Sequence, residues 1–191
     1  GKTLKIAQMA VDSGGHYSHQ VYLYARERKA QGVIAVKGSS RRDQPIINRG
    51  AKVDINYRGK TMKNSGMVYQ IGTDTAKTTI YGRLRHNQPG PGYFHFGLAA
   101  DEEFFNQLTA EKQQVKTVRG FQVKEWVKKS SDRSEKLDGC VYAYAAFQLM
   151  LRRYDRKTVW DQLEARLSGT KPELKSRKVA SPKASSFISN W

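Results

Sequence analysis

The sequence predicts an α/β domain in which a mixed β-sheet is flanked by helices, and three features of the chain indicate this class. Short apolar, β-branched runs alternate with longer segments whose apolar residues recur at helical spacing. Turns that contain glycine or proline separate these segments. The chain has 191 residues, of which 38% are hydrophobic, so it can form one packed core, which argues against a wholly disordered basic protein.

Each predicted element follows from a local pattern. Strands are predicted where apolar residues run continuously or alternate, and helices where they return every three or four positions. The clearest helix is 135–154, which we expect to pack across the sheet. The predicted strands are residues 4–11, 33–37, 51–58, 67–71 and 93–96, with a turn at 59–66 and a hairpin at 115–127. The predicted helices are residues 17–31, 75–84, 101–108, 135–154 and 158–167.

A change in composition near Gly169 divides the chain into two parts. Residues 1–168 are predicted to form a single domain. Residues 169–191 are basic and contain Pro and Ser, so we expect a disordered tail. This tail nevertheless ends with Phe187, Ile188 and Trp191, which are apolar anchors of the kind that docking segments use.

The charge balance predicts a polyanionic partner. The chain has 34 Lys and Arg against 17 Asp and Glu, which gives a formal net charge of +17. Such a field attracts nucleic acid, whose phosphates exchange their counterions for Lys and Arg side chains. A ribosomal role and an anionic membrane surface are the alternatives, but no basic amphipathic helix with a large apolar face stands out. We therefore expect a protein that binds nucleic acid.

Several other classes of protein are disfavoured by what the sequence lacks. No run of 18 apolar residues predicts a membrane span, and residues 1–10 do not have the pattern of a signal peptide. The single cysteine, Cys140, cannot form an internal disulfide and fits a reducing compartment. The four histidines do not have the spacing of a zinc site, and there is no P-loop motif.

Four acidic residues stand out because they occur at the ends of predicted elements. Asp12 and Asp74 follow apolar strands, while Glu135 and Asp138 open the strongest helix with i, i+3 spacing. Carboxylates that converge on one point repel each other unless a cation neutralises them, and hard oxygen ligands suit Mg²⁺ or Mn²⁺. Taken singly, each acid also has an ordinary structural interpretation as a turn former, a helix N-cap or a first-turn acid.

Five motifs occur in an order that resembles a known family. Residues 11–16 read V-D-S-G-G-H, residues 69–77 Y-Q-I-G-T-D-T-A-K, residues 90–96 G-P-G-Y-F-H-F, residues 108–111 L-T-A-E and residues 135–143 E-K-L-D-G-C-V-Y-A. Over about residues 4 to 155, this series resembles the nuclease domain of the large terminase subunit of lambda-type tailed phages. The resemblance implies an RNase H-like fold and endonuclease cutting of concatemeric viral DNA during packaging.

The resemblance also implies a catalytic site that binds two metal ions, Mg²⁺ or Mn²⁺. By motif, Asp12 is the first ligand, at the end of a central strand, and Asp74 is the second acid. Glu135 and Asp138 supply the third, with the choice between them left open. His16 and Lys77 are candidates for contacts to the scissile phosphate or the attacking water, and surface positions are their ordinary interpretation. Glu111 is interpreted as structural.

The implied partners are double-stranded DNA, the terminase small subunit, the capsid portal through the C-terminal tail, and an N-terminal ATPase domain in the full-length protein. The implied location is the cytoplasm of the host cell, with no membrane association. Two other functions remain open from the sequence: a further RNase H-like enzyme such as a junction resolvase or integrase core, and a non-catalytic basic module that binds DNA. Cleavage of supercoiled plasmid in the presence of Mn²⁺ separates the enzymes from the binding module.

Overall fold

The computed structural model describes residues 5–169. Its strands are β1 (Met9–Asp12), β2 (Val33–Gly38), β3 (Ala51–Tyr57), β4 (Lys60–Ile71), β5 (Lys112–Val118) and β6 (Phe121–Val127). Its helices are α1 (Ser18–Glu27), α2 (Thr73–Leu84), α3 (Glu102–Leu108), α4 (Glu135–Leu151) and α5 (Val159–Ser168), with a 3₁₀ turn at Lys29–Gln31. Residue 4 of the first predicted strand and nearly all of the predicted tail lie outside the described residues. The prediction of a strand at residues 5–8 is wrong, because these residues are irregular and β1 begins at Met9.

The main sheet has four strands in the order β1-β2-β4-β3. Strand β2 is parallel to both β1 and β4, whereas β3 pairs antiparallel with β4. Strands β5 and β6 form a separate antiparallel hairpin. This mixed sheet with flanking helices confirms the predicted fold class and is consistent with an RNase H-like fold. The expectation that Asp12 ends a central strand is wrong, because β1 is at the edge of the described sheet and β2 occupies its interior.

Strand β2 shows why helices cover both faces of the sheet. Its first four residues are all buried, as expected of a parallel strand with helices on both sides. Val33 and Ala35 pack with Ala25 of α1 on one face. Ile34 and Val36 belong to the larger core on the other face, where α2, α3 and α4 also contribute. Successive side chains of a strand point to opposite faces, so one short apolar run serves both cores.

Two predicted elements differ in the structure. The turn predicted at 59–66 is only the pair Arg58-Gly59, both with positive φ (49° and 74°), and β4 begins at Lys60. Two consecutive residues with positive φ form a two-residue hairpin turn, whose twist matches that of the strands on either side. The polar residues after this turn therefore pair with β3 as the first part of β4. The strand predicted at 93–96 is absent, because these aromatic rings pack on one another and on the rings of α3 instead.

Contacts divide the chain at Arg153 and Tyr154 into two units. The first contains both sheets and helices α1 to α4. The second contains α5, whose Arg166 donates a hydrogen bond to the Tyr154 hydroxyl at 2.6 Å. The predicted domain boundary at 168 and 169 stays a prediction. Among residues 5–169, no helix has the length and apolarity that crossing a membrane requires.

Candidate active site

The carboxyl ends of three parallel strands meet at one edge of the main sheet. Strand β1 ends at Asp12, β2 ends at Gly38 and β4 ends at Ile71, with Asp12 in register with Val36 and Gly38 with Ile71. Ligands of open α/β sheets bind outside such strand ends. A functional site is therefore expected at these carboxyl ends.

Gly72 lets a loop pack against the start of α2 at this edge. A Cβ atom at this position would lie 2.2 Å from the carbonyl oxygen of Gln44, so any other residue would displace the loop backbone. The Gly72 amide donates to the carbonyl of Pro45 at 3.1 Å, and the Thr75 hydroxyl donates to that of Gln44 at 2.7 Å. These contacts fix the first turn of α2, which carries Asp74.

The turn after β1 holds Asp12 at the strand end. Its Oδ1 accepts a hydrogen bond from the Gly14 amide at 3.0 Å. The next residue, Ser13, is buried, and both its amide and its hydroxyl donate to the carbonyl of Val36 at 2.8 Å. Ser13 therefore continues the pairing with β2, while the carboxylate of Asp12 remains exposed.

Helix α4 presents Asp138 and Tyr142 to the same site, because residues four apart lie on one helix face. The Tyr142 phenol lies beside the Asp12 carboxylate and the Gly38 backbone. Burial, followed by the charges of Asp12 and Asp138, raises the pKa of Tyr142 to about 12. Tyr142 is therefore a neutral phenol next to the Asp12 carboxylate.

Asp138 lies among other charged groups. Burial is the largest cause that raises its pKa; the charges of Glu111 and Asp12 add to this, and Lys77 opposes it. The Lys77 Nζ lies 4.0 Å from the Asp138 Oδ1. Asp12 and Asp138 are thus close enough to repel each other, as carboxylates that share one site do.

Lys77 and Glu111 form an ion pair at the centre of this cluster. The Lys77 ammonium donates to both carboxylate oxygens of Glu111 at 2.8 Å, and their side chains are only 12% and 9% exposed. The Tyr81 hydroxyl donates to the Glu111 carbonyl at 2.7 Å and fixes the backbone there. The pair therefore forms the buried centre of this cluster.

Asp74 lines a cleft of about 420 Å³ that Lys77 and Glu111 also line. Helix α2 places Asp74 one turn before Lys77. The hairpin contributes Trp126 and, just beyond β6, Lys128 to the cleft. The Trp126 ring packs 4.8 Å from that of Tyr81, and its buried Nε1–H lacks a partner within the described residues.

Two candidates from the sequence lie apart from this cluster. Glu135 is fully exposed and accepts a hydrogen bond from Arg133 at 3.2 Å. Its pKa is lowered chiefly by its own backbone amide at the helix start, and also by Arg133. His16 lines a separate groove together with His19 and Arg58. The structure thus brings Asp12 and Asp138 together, and it places Asp74 in the cleft that Lys77 and Glu111 line.

Sequence reasoning did not assign a role to Tyr142, although the residue lies within the quoted motif at 135–143. The signal available was its position four residues after Asp138 on a predicted helix, which puts the phenol on the same face as that acid. The approach of Tyr142 to Asp12, by contrast, depends on how α4 crosses β1, which local spacing does not give.

Oxygen donors dominate the cluster, and this chemistry fits a hard divalent cation. Asp12 and Asp138 supply carboxylates at its exposed side, and Asp74 supplies one in the cleft. Within residues 5–169, no three His, Cys, Asp or Glu side chains already stand at ligating distances from a common point. The Lys77 ammonium instead neutralises part of the negative charge.

Fold and site together define an α/β domain with a carboxylate cluster at the carboxyl edge of its parallel strands. The sequence profile described as "Terminase large subunit gpA, endonuclease domain" matches residues 1–160, and the chain belongs to this family. The large terminase subunit of Escherichia phage lambda is 33% identical over 163 residues, and that of Enterobacteria phage P21 is 30% identical over 164. Each match covers 81% of this chain and 24% of the relative, so the chain spans about a quarter of their length.

No solved structure gives a significant match to the chain. The family assignment therefore comes from sequence, and it confirms the resemblance drawn from the five motifs. It assigns the chain to the endonuclease domain of a phage terminase.

Proposed function

We propose that this domain is a metal-dependent endonuclease that hydrolyses phosphodiester bonds to cut concatemeric phage DNA during packaging. The observation that carries the proposal is the convergence of Asp12 and Asp138 at the carboxyl edge of the sheet, beside the buried Lys77–Glu111 pair. Carboxylates that share one site repel each other, and bound cations relieve that repulsion.

In this proposal Asp12, Asp138 and Asp74 hold two divalent ions, Mg²⁺ or Mn²⁺. Such ions, when bound, activate a water molecule and stabilise the leaving oxygen of a phosphodiester. The protein's own residues supply the positioning. As a neutral donor beside Asp12, Tyr142 orients that carboxylate, and Glu111 holds the Lys77 ammonium where it can meet a phosphate oxygen.

The substrate and partners follow from the same proposal. Double-stranded DNA is the polyanion that the charge indicates. In the assembled terminase, the partners are the small subunit, an N-terminal ATPase domain and the capsid portal, the last contacted by the C-terminal tail. The complex acts in the cytoplasm of the infected cell.

The experiment is a plasmid-nicking assay with Mn²⁺ and with Mg²⁺, using EDTA as the blank. Asp12→Asn and Asp138→Asn are expected to abolish nicking, because each removes a ligand charge. Asp12→Asn should keep or increase DNA affinity, since one phosphate-repelling charge is gone. Glu27→Gln, an exposed acid paired with Arg28, is the charge control and should nick like wild type.

Glu135→Gln separates the two acids of α4. Because Glu135 faces Arg133 and solvent, this variant should retain most of its nicking, whereas Asp138→Asn should not. Nicking by Asp12→Asn at the wild-type rate would contradict the proposed site. DNA binding without nicking in any metal would favour the non-catalytic binding module.

A further inference from the structure

We propose that a groove beside the Asp12 turn binds the DNA backbone within a few nucleotides of the scissile phosphate. This inference rests on the proposed function, because it assigns the path of that substrate. The groove has a volume of about 310 Å³. It lies between the start of α1, with His16, Tyr17, His19 and Gln20, and residues 56–58 at the tip of the β3–β4 hairpin.

The lining of the groove is suited to an anion. It contains two imidazoles, two phenols, two side-chain amides and the Arg58 guanidinium, and it contains no acidic side chain. Most of these groups donate hydrogen bonds, which are the contacts that phosphate oxygens accept. A negatively charged backbone would therefore meet donors without meeting a repelling carboxylate.

The orientation of His19 is fixed by the hairpin. Its Nδ1 accepts a hydrogen bond from the backbone N–H of Asn56 at 3.2 Å, and its ring packs edge-on against the Tyr22 ring, with 5.9 Å between the ring centres. Because Nδ1 is an acceptor, the neutral ring carries its proton on Nε2. The remaining ring nitrogen of His19 is thus a donor held in a defined direction.

Arg58 is held at the hairpin tip without a competing acid. Its guanidinium lies 5.2 Å from the centre of the Tyr57 ring, and the residue adopts a positive φ of 49° in the tight turn. Among residues 5–169, Arg58 has no carboxylate partner. Stacking on Tyr57 leaves the edge of the guanidinium able to donate to a phosphate.

Chain connectivity ties the groove to the candidate active site. His16 is four positions after Asp12 in the chain, so the two lie at most about 14 Å apart. One strand of DNA advances about 3.4 Å per nucleotide along the helix axis. The end of the groove at His16 therefore lies within about four nucleotides of a phosphate bound at Asp12.

The test measures binding of a fluorescent 30-bp duplex of random sequence, in an Asp12→Asn background that prevents cleavage, from about 50 to 200 mM KCl. Arg58→Gln is expected to weaken binding about five- to tenfold and to reduce the salt slope by about one, the effect of one lost phosphate contact. Arg58→Lys should recover part of the affinity, because it restores the charge without the planar fork.

The matched control is Arg28→Gln, which removes another arginine stacked on a tyrosine, here Tyr24 at 4.1 Å, from the opposite end of α1. It should change the affinity by less than twofold. Neutral methylphosphonate linkages in the duplex locate the phosphate that Arg58 contacts. When the linkage is moved outward from the nick one nucleotide at a time, one position should weaken binding of the Asp12→Asn protein and have little further effect with Arg58→Gln.

Equal affinity and equal salt slope for Arg58→Gln and Arg28→Gln would overturn the proposal. Preference of the groove for phosphatidylserine vesicles over duplex, lost in Arg58→Gln, would overturn it too. The two proposals fail separately. If the wild-type chain nicks plasmid and Arg58→Gln binds DNA with unchanged affinity, the groove proposal alone is refuted. If Arg58→Gln loses affinity but the wild-type chain does not nick in any metal, the endonuclease proposal alone is refuted.

Discussion

Replacing Glu111 by Gln removes the charge that balances Lys77 in the protein interior. The side chains of Glu111 and Lys77 are 9% and 12% exposed, and the Lys77 Nζ lies 2.8 Å from a carboxylate oxygen of Glu111, so this pair is shielded from solvent. Breaking a buried ion pair costs about 3–5 kcal/mol, because one charge is left without a partner. Asp138, whose Oδ1 lies 4.0 Å from the Lys77 Nζ, still balances part of the lysine charge in this variant. The expected loss in the free energy of unfolding is therefore about 3 kcal/mol, at the lower end of this range.

Urea denaturation with EDTA present measures this loss. With a slope of about 2 kcal/mol per molar urea, a loss of about 3 kcal/mol lowers the midpoint by about 1.5 M. The control is Glu125→Gln, which breaks the exposed Lys116–Glu125 pair (66% and 41% exposed, 3.6 Å). An exposed pair contributes about 0–1 kcal/mol, so its midpoint should move by less than about 0.5 M.

A double variant distinguishes a lost charge balance from a simple cavity. Lys77→Met with Glu111→Leu removes both charges and keeps similar volume, so it should recover most of the stability lost in Glu111→Gln. The reasoning is refuted if Glu111→Gln unfolds at the wild-type midpoint. It is refuted equally if the double variant is less stable than Glu111→Gln.

Three further predictions follow from charge, burial and sequence. DNA affinity should fall steeply with salt and show little sequence preference in competition with random duplex; a strong preference that persists at high salt would contradict this. Burial raises the pKa of Cys140, so its thiol should react with a disulfide reagent at pH 8 far more slowly in the native protein than in urea, and equal rates would refute this. The native rate should rise with pH as the thiolate forms. Truncation after Gly169 should preserve plasmid nicking and weaken pull-down by the capsid portal, while loss of nicking with retained circular dichroism would assign the tail to the site.

The sequence predicts most of the sheet because its strands have short-range signals. Strand β2 is a continuous apolar run, and α4 is a long apolar segment whose buried residues Leu137, Val141 and Ala145 recur every four positions, so both are predicted to within a few residues. The length of β4 was missed because its first residues are polar and exposed. Pairing with β3 across the Arg58-Gly59 turn extends that strand, and such pairing is not visible in a single strand's hydrophobicity.

The acids of the site were only partly predictable. The end of an apolar strand is a local feature, and it identified Asp12. The choice between Glu135 and Asp138 depends on how α4 crosses the sheet, since a turn of the helix directs one acid toward Asp12 and the other toward Arg133. The same crossing brings Tyr142 to Asp12. These contacts are long-range, so spacing along one helix does not give them.

The buried lysine explains how an acidic site can form in a chain that must also attract DNA. The carboxylates of Asp12, Asp74, Glu111 and Asp138 with the Lys77 and Lys128 ammonium groups have a formal charge of −2, within a chain of net charge +17. This local charge repels a phosphate even though the rest of the surface attracts DNA. Two divalent ions would change it to +2. On the proposed function, metal binding therefore turns the site from repelling to attracting the scissile phosphate, while the groove at Arg58 holds the backbone in either state.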